Sequence, residues 1–502
     1  MEEIKIITKS KIVCTLGPAS NTAEQIKALA DRGMDVARIN FSHGSIDEKI
    51  EVFDIIRKID PSLAIMCDIQ GPKIRIGEIE GNGVSLAVDQ PFTLTTEEII
   101  GNNERATISY AELPGEAKPG DLIFINDGLI SLQVEEVADP EIKCKVLVGG
   151  TISSKKGVNL PNTEISMRVP TPKDVEDLKT IARLDPEYVA ISFVCDENDV
   201  NNIRDILKEF GNENIKLISK IERPFALQNL DSIIDASDGI MVARGDLGVE
   251  IPFEQVIPAQ KLMIKKANRA GKPVIVATQM LESMINSPVP TRAEVSDVYN
   301  AIADGADAVM LSAETAAGQY PNNAVETLER IIKISETKIP TRNPDDFDSG
   351  DGSNEAIVGR TVYYASKQFS DLVKATTAND DEMKEALRHY KSMVLTRSGY
   401  SARMVSKFRP MIPIIAITGS KRTARELRLV WGVESVLVGG RIDSDVDTFK
   451  KIHEGVGEAI SQQWLGEDDK LVICGNLNYL EARTNMVCFF TVRQILDSML
   501  IP

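Results

Sequence analysis

The sequence predicts an α/β protein built on a (β/α)8 TIM barrel, with an inserted all-β lid domain and a C-terminal open α/β domain. Three observations support this prediction. Eight short apolar, largely β-branched runs alternate with longer helical patterns, residues 72–169 are rich in turns instead, and a Pro- and Asp-rich segment at 340–353 precedes a second α/β region. At 502 residues the chain is also too long for one compact core.

The barrel is predicted from runs of apolar residues that are continuous rather than alternating. Such strands between helices are typical of a parallel sheet covered on its outer face. Eight units over about 250 residues fit a closed barrel, which we expect to form the catalytic domain from residues 1–71 and 170–341. The predicted strands are 11–17, 36–42, 63–69, 188–193, 216–222, 239–247, 273–279 and 308–315.

The two other regions are predicted from their own patterns. In residues 72–169, runs such as LIFIN and CKVLV are broken by GNG, PGD and NDG, which is typical of a β-barrel with tight turns. This insertion follows the third strand, at the catalytic end of a barrel, so it can act as a lid. Residues 342–502 alternate strands such as PIIAIT with helices, which predicts a regulatory α/β domain.

Composition argues against several classes of protein. The net charge of −18 argues against a nucleic acid partner, because phosphate backbones need clustered Lys and Arg. No segment approaches the ~20 apolar residues of a membrane span. The six cysteines form no CxxC pair and most lie in apolar runs, which is typical of reduced thiols in a cytoplasmic protein.

Polar residues cluster at the predicted strand ends, where barrels of this kind carry their active sites. Residues two apart along a strand share a face, so positions 40 and 42, 220 and 222, and 312 and 314 are each expected to act as a pair. Any one of these residues could be a solvent-exposed charged residue on the barrel rim that only pairs with its neighbours, but the whole set favours an active site. The set is Arg38, Asn40, Ser42, Asp68, Lys220, Glu222, Arg244, Asp246, Thr278, Ser312 and Glu314.

The types of residue in this set indicate the chemistry. Glu222 and Asp246 are two carboxylates on adjacent strands, which predicts a site for Mg2+ or Mn2+. Arg38 and Lys220 supply the positive charge that a transferring phosphoryl group needs. Thr278 and the backbone N–H groups of the ARGDLG turn are expected to hold a carboxylate. Together they predict metal-assisted chemistry on a small anionic substrate.

Eight longer motifs make the prediction more specific. They are, in order, KIVCTLGPAS, VARINFSHGS, GPKIRIG, SKKGVNLP, SKIERP, MVARGDLGVEIP, ATQMLESMINSPVPTRAEVSDV and LSAETAAGQYP. With these motifs the chain resembles pyruvate kinases over nearly its whole length. The resemblance implies phosphoryl transfer from phosphoenolpyruvate to ADP, giving pyruvate and ATP in the last step of glycolysis. It also implies a homotetramer and a sugar-phosphate effector.

The resemblance assigns roles to individual residues. The catalytic set that it implies is Lys220, Arg38, Thr278, Ser312 and Glu314, with a water chain through the last three as a candidate proton source. The substrate is expected at Arg38, Lys220, Gly245, Asp246 and Thr278, and the divalent metal at Glu222 and Asp246. The nucleotide is expected at Asn40, His43, Arg75 and Lys156.

One position departs from the pattern of many family members. They read DTKGPEIR after the third strand and need K+, which the resemblance places near Asn40, Ser42, Asp68 and Ile69. Here Lys73 replaces the glutamate of that motif. An ammonium is a compact charge that can substitute for K+, so we expect that K+ is not required. The alternative is an exposed lysine on a hinge.

A candidate effector loop lies in the C-terminal region, after a strand and at the start of a helix. Its hydroxyl groups, glycine and free helix N–H groups suit a phosphate, although the same composition also makes a plain N-cap. The resemblance matches this loop to the family's sugar-phosphate site. Residues 474–480 (CGNLNYL) lack the Trp, Pro and glycine run of the second half of that site, so we expect a sugar monophosphate effector or no allostery. The loop comprises Thr396, Arg397, Ser398, Gly399, Tyr400 and Ser401.

Two other functions stay open at the level of sequence. A metal-dependent carbon–carbon lyase acting on pyruvate or oxaloacetate would share the two carboxylates and an arginine, but it would not need the SKKG segment of the lid. A catalytically inactive sensor of sugar phosphates would be expected to lack Arg38, Lys220, Glu222 or Asp246, and all four are present. ADP-dependent formation of pyruvate distinguishes a pyruvate kinase from the lyase.

Overall fold

The N-terminal part of the chain begins the barrel. The computed structural model describes residues 8–339, 342–347, 350, 352–440, 448–476 and 484–498. Strands β1 to β3 are almost completely buried because they are apolar on both faces. The first elements are β1 (Lys11–Leu16), α1 (Ala23–Asp31), β2 (Val36–Asn40), α2 (Ile46–Ile59) and β3 (Ala64–Ile69).

Residues 72–169 fold into a β-rich lid with a hydrophobic core of its own. Its elements are β4 (Val84–Leu86), β5 (Pro91–Thr95), β6 (Arg105–Thr107), α3 (Leu113–Glu116), β7 (Leu122–Ile125), β8 (Ile130–Ala138), β9 (Glu141–Val148), β10 (Gly150–Ile152) and β11 (Val158–Asn159). They form a six-stranded sheet in the order β11-β7-β8-β9-β5-β6 and a two-stranded sheet of β10 and β4. The β-barrel expected here does not close, because its short edge strands β11 and β6 do not pair with each other.

The barrel resumes after the lid and closes. Its eight strands are all parallel, in the order β1-β16-β15-β14-β13-β12-β3-β2, which confirms the predicted (β/α)8 barrel. The elements are α4 (Pro172–Leu184), β12 (Tyr188–Ile191), α5 (Glu197–Glu209), β13 (Lys216–Ile221), α6 (Pro224–Gln228), α7 (Leu230–Ala236), β14 (Gly239–Ala243), α8 (Arg244–Glu250), α9 (Val256–Ala270), β15 (Val274–Ala277), α10 (Arg292–Asp304), β16 (Ala308–Leu311), α11 (Ala313–Ala316) and α12 (Pro321–Lys338).

Seven of the eight barrel strands end one to four residues earlier than the sequence predicts, and the backbone after β14, β15 and β16 shows why these three end. Strands β14, β15 and β16 end at Ala243, Ala277 and Leu311, whereas the predicted ends were 247, 279 and 315. After β14 and β16 the chain turns directly into the short helices α8 and α11, and after β15 it enters a left-handed conformation at Thr278. The expected strand pair at 312 and 314 is therefore wrong, because Glu314 lies in a helical turn.

The C-terminal part is an open α/β unit, as predicted. Its elements are α13 (Asn354–Thr376), α14 (Asp380–Leu387), β17 (Tyr390–Leu395), α15 (Tyr400–Lys407), β18 (Ile414–Thr418), α16 (Lys421–Glu426), β19 (Val433–Leu437), α17 (Thr448–Ser461), β20 (Lys470–Gly475), β21 (Met486–Thr491) and α18 (Val492–Ser498). The sheet order is β19-β18-β17-β20-β21, with only β21 antiparallel to its neighbour.

Buried ion pairs join this unit to the barrel. Lys11 Nζ lies 2.7 Å from Glu434 Oε1, and Arg409 Nη1 lies 2.9 Å from Asp307 Oδ1. Leu429 from the C-terminal unit also packs with the residues that fill the barrel interior. The seam between the two units is therefore both apolar and ionic. Across the described ranges, no helix is long and apolar enough to cross a membrane.

Candidate active site

A buried network of charges lies at the carboxyl ends of β2, β3 and β13. Arg38 Nε donates to Asp68 Oδ2 at 2.8 Å, and Lys220 Nζ lies 3.5 Å from Asp68 Oδ1. Burial alone would raise the pKa of the Asp68 carboxyl, but the positive charges of Arg38 and Lys220 and their hydrogen bonds hold it below its ordinary value. One carboxylate thus orients the two cations that the sequence assigned to phosphoryl transfer.

Two hydroxyl groups that the sequence analysis missed complete this network. Arg38 Nη1 donates to Thr15 Oγ1 at 2.8 Å, and Lys220 Nζ donates to Ser192 Oγ, also at 2.8 Å. The Ser192 hydroxyl in turn donates to the backbone oxygen of Ile69 at 2.7 Å. Thr15 lies near the end of β1 and Ser192 follows β12, so the strand-end rule could have found both residues.

Glu222 lies directly after β13 and is fully buried. Its Oε2 accepts a hydrogen bond from the N–H of Phe193 at 2.6 Å. Its Oε1 forms an ion pair with Lys220 Nζ at 2.9 Å and accepts no hydrogen bond from any other described group. Burial raises the pKa of the Glu222 carboxyl, and the nearby charge of Asp246 adds to this effect against the opposing charge of Lys220.

Lys220 keeps its positive charge in this environment. Burial on its own would lower the pKa of its ammonium group, but the carboxylates of Asp68 and Glu222 raise it well above the ordinary value. The pair at positions 220 and 222 is thus in contact, as the sequence predicted. A fully charged ammonium is the form that a transferring phosphoryl group needs.

Asp246 lies in the first turn of α8 and is bonded to the lid stem. Lys73 Nζ, from the segment that leads into the lid, donates to Asp246 Oδ1 at 3.3 Å. The same side chain lies over Gly157 of the lid, where an added β-carbon would come within 3.2 Å of Lys73 Cε. The described hydrogen bonds and ion pairs of Lys73 thus place its ammonium at the expected metal carboxylate rather than on Asn40 or Asp68.

Thr278 and Gly245 form the corner of the site where a carboxylate was expected. Thr278 is β-branched yet has a φ of +67°, a strained conformation of the kind that concentrates at functional sites. Its Oγ1 accepts a hydrogen bond from the N–H of Gly245 at 2.7 Å and donates to the Ala277 carbonyl at 2.6 Å. The N–H of Gly245, expected to hold a substrate carboxylate, is bonded to Thr278 in this structure. The side chain of Arg244 supports this corner by donating to the Thr278 carbonyl at 2.7 Å.

The side-chain carboxylate of Glu314 bonds to the backbone N–H of Ser312. Glu314 Oε2 accepts from the N–H of Ser312 at 2.7 Å, and its Oε1 accepts from the N–H of Leu281 at 3.2 Å. Burial raises the pKa of the Glu314 carboxyl. The carboxylate therefore ties the loop after β15 to the start of α11, which holds the shape of the mouth.

The residues expected at the nucleotide lie along the opening between barrel and lid. Asn40 Oδ1 accepts from the N–H of Ser42 at 2.9 Å, and His43 follows in an exposed turn. Burial lowers the pKa of the His43 imidazole, and neighbouring cations, Arg75 first among them, lower it further. Arg75 and Lys156 stand on paired segments of the lid, since the residue after Arg75 donates its N–H to the Lys156 carbonyl at 2.8 Å.

The residues present fit a divalent metal ion. Apart from its ion pair with Lys220, the buried Oε1 of Glu222 has no partner among the described groups, and hard cations such as Mg2+ prefer carboxylate oxygens and keep several positions for water or substrate. In the described ranges, no cluster of three or more His, Cys, Asp or Glu side chains makes a closed metal site. Glu222 and Asp246 would hold the ion and leave its remaining positions open.

A cavity of about 470 Å³ lies beside the site, between the lid stem and the barrel rim. It meets the residues discussed above at Lys73 and is lined further by Asn159, Arg223 and Glu250. Asn159 Nδ2 donates to the buried carboxylate of Glu250 at 2.8 Å. Burial raises the pKa of that carboxyl, while the Asn159 hydrogen bond opposes the rise. A second contact therefore ties the lid to α8.

The residues of the predicted effector loop have different surroundings and do not all face one site. Gly399 has a φ of +78° and precedes α15 without giving the helix a side-chain cap. The Ser401 hydroxyl lies 2.6 Å from that of Thr484, whereas Tyr400 faces the seam with the barrel. Thr396 is buried, and its N–H bonds to the neighbouring strand at 2.9 Å. Positions 477–480 of the expected second half lie outside the described residues.

Comparison with known proteins agrees with this architecture. Residues 7–325 match the family described as pyruvate kinase, barrel domain, and residues 382–489 match pyruvate kinase, alpha/beta domain. A pyruvate kinase of Clostridium acetobutylicum is 40% identical over 485 residues, 95% of this chain and 98% of that protein. One from Staphylococcus aureus is 40% identical over 95% of this chain and 80% of its own length. The crystal structure of a pyruvate kinase from Cryptosporidium parvum superimposes with a TM-score of 0.87 at 35% identity, covering 97% of this chain and 96% of that one.

Proposed function

Because the chain belongs to the pyruvate kinase family of phosphotransferases, we propose that Arg38, Lys220, Glu222, Asp246 and Thr278 transfer a phosphoryl group between phosphoenolpyruvate and ADP. One observation carries the residue assignment: contacts or close charges link four of the side chains, and Thr278 is joined to them through the backbone of Gly245. Asp68 contacts both Arg38 and Lys220. Lys220 in turn contacts Glu222, and the charge of Asp246 acts on the Glu222 carboxyl. Gly245, the neighbour of Asp246, donates to Thr278.

The roles of the side chains follow from their partners. Arg38 and Lys220 are charged, held by Asp68 and partly buried, so they stabilise charge on the phosphoryl oxygens without having to reorganise. Thr278 and the N–H of Gly245 already share a hydrogen bond, and a substrate carboxylate would engage the same corner. When bound, a divalent cation, generally Mg2+ in this family, supplies Lewis-acid polarisation and neutralises negative charge. Burial of Glu222 excludes water from its side of the mouth.

A coupled assay tests the residue assignment. Pyruvate formed from phosphoenolpyruvate and ADP is reduced by added lactate dehydrogenase, and the rate should fall about 100-fold or more in Lys220→Met, because a charge aimed at the transition state is lost. Lys27→Met, an exposed lysine of α1 paired with Asp31, is the matched control and should keep the parent rate. Full activity in Lys220→Met would refute the assignment. Pyruvate formed from oxaloacetate, but not from phosphoenolpyruvate and ADP, would favour the lyase alternative.

We further propose that the enzyme does not require K+. The supporting observation is that the Lys73 ammonium reaches Asp246 at the mouth, where it brings a fixed positive charge. The parent should be equally active in KCl and in tetramethylammonium chloride at equal ionic strength. Lys73→Glu should be activated by K+, whereas Lys143→Glu, the same charge change on an exposed lid strand, should not. Strict K+ dependence of the parent would end this proposal.

For the C-terminal unit we propose a sugar monophosphate effector at residues 396–401. The start of α15 carries no side-chain cap, so its first N–H groups suit a phosphate. Glucose 6-phosphate should lower the phosphoenolpyruvate concentration at half-maximal rate, and Ser398→Glu should abolish the shift by repelling the phosphate. A large shift with fructose 1,6-bisphosphate alone would contradict this proposal.

The remaining proposals rest on the family. We propose three domains, with bounds 1–71 and 170–341 for the barrel, 72–169 for the lid and 342–502 for the regulatory unit. A homotetramer in the cytoplasm is the assembly and location that we expect. Light scattering of the purified chain tests the tetramer, since a monomer near 55.1 kDa at micromolar concentration would contradict it.

A further inference from the structure

A second cavity lies on the opposite side of the barrel from the candidate active site. This seam cavity, of about 240 Å³, is lined by Lys216 and Lys272 of the barrel and by Arg403 of α15. Lys216 is the first residue of β13, whereas Lys220 of the catalytic mouth lies four residues further along the strand, roughly 13 Å away. The cavity is therefore separate from the site described above, and residues of two structural units form its walls.

The barrel wall of the seam cavity has more positive than negative charge. Arg204 and Lys216 share a single carboxylate, that of Asp238, at 3.2 and 3.8 Å. Lys272 Nζ bonds only to two backbone carbonyls near the end of α7, at 2.6 and 2.8 Å. Burial lowers the pKa of the Lys272 ammonium. The nearby carboxylates of Asp238 and Asp235 oppose this effect, and the weaker influence of Arg204 and Arg403 adds to it. These cations are thus close enough to repel one another.

The opposite wall contributes another cation with little to neutralise it. Arg403 Nη1 donates to the Ser398 carbonyl at 3.4 Å, and its guanidinium lies 5.8 Å from the centre of the Tyr400 ring. Among the residues that the structure describes, no carboxylate oxygen lies within 4 Å of the charged nitrogens of Arg403 or Lys272. Glu426, which also lines the cavity, is already paired with Arg422 at 3.0 Å.

The lining of the cavity has one more positive than negative charge, although the net charge of the chain is −18. Its cations are Arg204, Lys216, Lys272 and Arg403, and its carboxylates are Asp235, Asp238 and Glu426. Close cations that lack carboxylate partners repel each other, and an anion between them removes that cost. An arginine fork on one wall and a lysine point charge on the other are the usual pair for a phosphate group. We propose that the seam cavity binds a small phosphate-bearing anion, with Arg403 and Lys272 contacting the phosphate from opposite walls.

The size of the cavity limits the ligand. At about 240 Å³ it lies below the ~300–1,000 Å³ of pockets for drug-sized molecules, so it suits inorganic phosphate or a small phosphate monoester. Such an anion would connect the barrel to α15, whose first residues Tyr400 and Ser401 also belong to the predicted effector loop. Lys272, on the opposite wall, belongs to the barrel and not to that loop.

Calorimetric titration of the full chain with inorganic phosphate at constant ionic strength tests the inference. Phosphate can also bind at the catalytic mouth, so the difference between parent and variant is the readout. In Arg403→Gln one class of sites should weaken about tenfold or more, because a charge-assisted hydrogen-bond pair is lost. Lys27→Gln makes the same charge change on distant α1 and should reproduce the parent isotherm.

A second variant keeps the test possible if the first variant does not fold. If circular dichroism shows that Arg403→Gln does not fold, Lys272→Gln replaces it, since it removes the cation of the other wall. Weakening of the same class of sites in either folded variant supports the seam site. Superimposable isotherms for the parent and for a folded Arg403→Gln or Lys272→Gln would overturn it.

Discussion

Asp68→Asn is the perturbation that tests the central charge network of the barrel most directly. The side chain of Asp68 is 1% exposed and is shared by Arg38 and Lys220. The asparagine keeps the shape of the side chain but removes the negative charge, so two buried cations lose their common partner. Thr15 still accepts from Arg38, and Ser192 still accepts from Lys220.

The size of the effect follows from this geometry. Removing one partner of a buried ion pair typically costs about 3–5 kcal/mol, and the two remaining hydroxyl acceptors favour the lower end, about 3 kcal/mol. In a barrel of this size 1 kcal/mol shifts the thermal midpoint by roughly 2–4 °C, so we expect a fall of roughly 6–12 °C. Asp31→Asn, which breaks an exposed pair with Lys27 on α1, should cost less than about 1 kcal/mol.

Differential scanning calorimetry at several pH values measures how much stability Asp68→Asn loses and in which direction this loss changes with pH. The folded-state pKa of Asp68 is below its ordinary value, so its contribution is fully present above the unfolded pKa and is lost as pH falls through the folded one. The difference in thermal midpoint between parent and variant should be largest at neutral pH and should begin to shrink below about pH 4. A difference in thermal midpoint of no more than about 2 °C at pH 7, or a difference that grows in acid, would refute the reasoning.

Three further substitutions probe the mouth and the lid. Glu222→Gln should weaken Mn2+ binding about tenfold or more in a paramagnetic resonance titration, since a charged oxygen ligand is lost, and unchanged affinity would exclude Glu222 as a ligand. Asn159→Leu leaves the buried carboxylate of Glu250 without its side-chain donor, so calorimetry should show a loss of about 1–3 kcal/mol, and an unchanged midpoint would contradict this. Thr278→Val removes the acceptor of the Gly245 N–H, so kcat should fall about tenfold or more while the KM for ADP stays constant; a selective rise in that KM would place Thr278 at the nucleotide instead.

Much of the mouth could be predicted because parallel strands bring their carboxyl ends to one rim. That rule alone places Arg38, Lys220 and Glu222 together, and the structure connects them. Thr15 and Ser192 follow the same rule, but small hydroxyl residues are so common at strand ends that they carry little signal by themselves. The periodicity of the apolar residues predicts the backbone topology, and that topology was enough to predict which charged residues of the network lie together.

What the sequence could not show depends on contacts between segments far apart in the chain. The partner of Lys73 is Asp246, 173 residues away, and it is set by how the lid stem meets α8. Thr278 has a conformation that its own side chain disfavours, so only the surrounding structure can impose it. Glu314 was expected to face the mouth from a strand, but β16 ends at Leu311 and the carboxylate turns to backbone N–H groups.

Helix α8 carries two contacts with the lid and also the carboxylate of Asp246, which is proposed to bind the metal. Its first turn carries Asp246, which Lys73 of the entering stem contacts, and its last residue is Glu250, which Asn159 of the returning stem contacts. These two carboxylates are four residues apart, roughly 6 Å along the helix. A cation that binds Asp246 competes with the Lys73 ammonium for that carboxylate, whereas the contact at Glu250 is untouched. If Asp246 holds the ion as proposed, metal binding and one of the two lid contacts of α8 are thermodynamically linked, and by reciprocity a weaker Lys73 contact would strengthen metal binding.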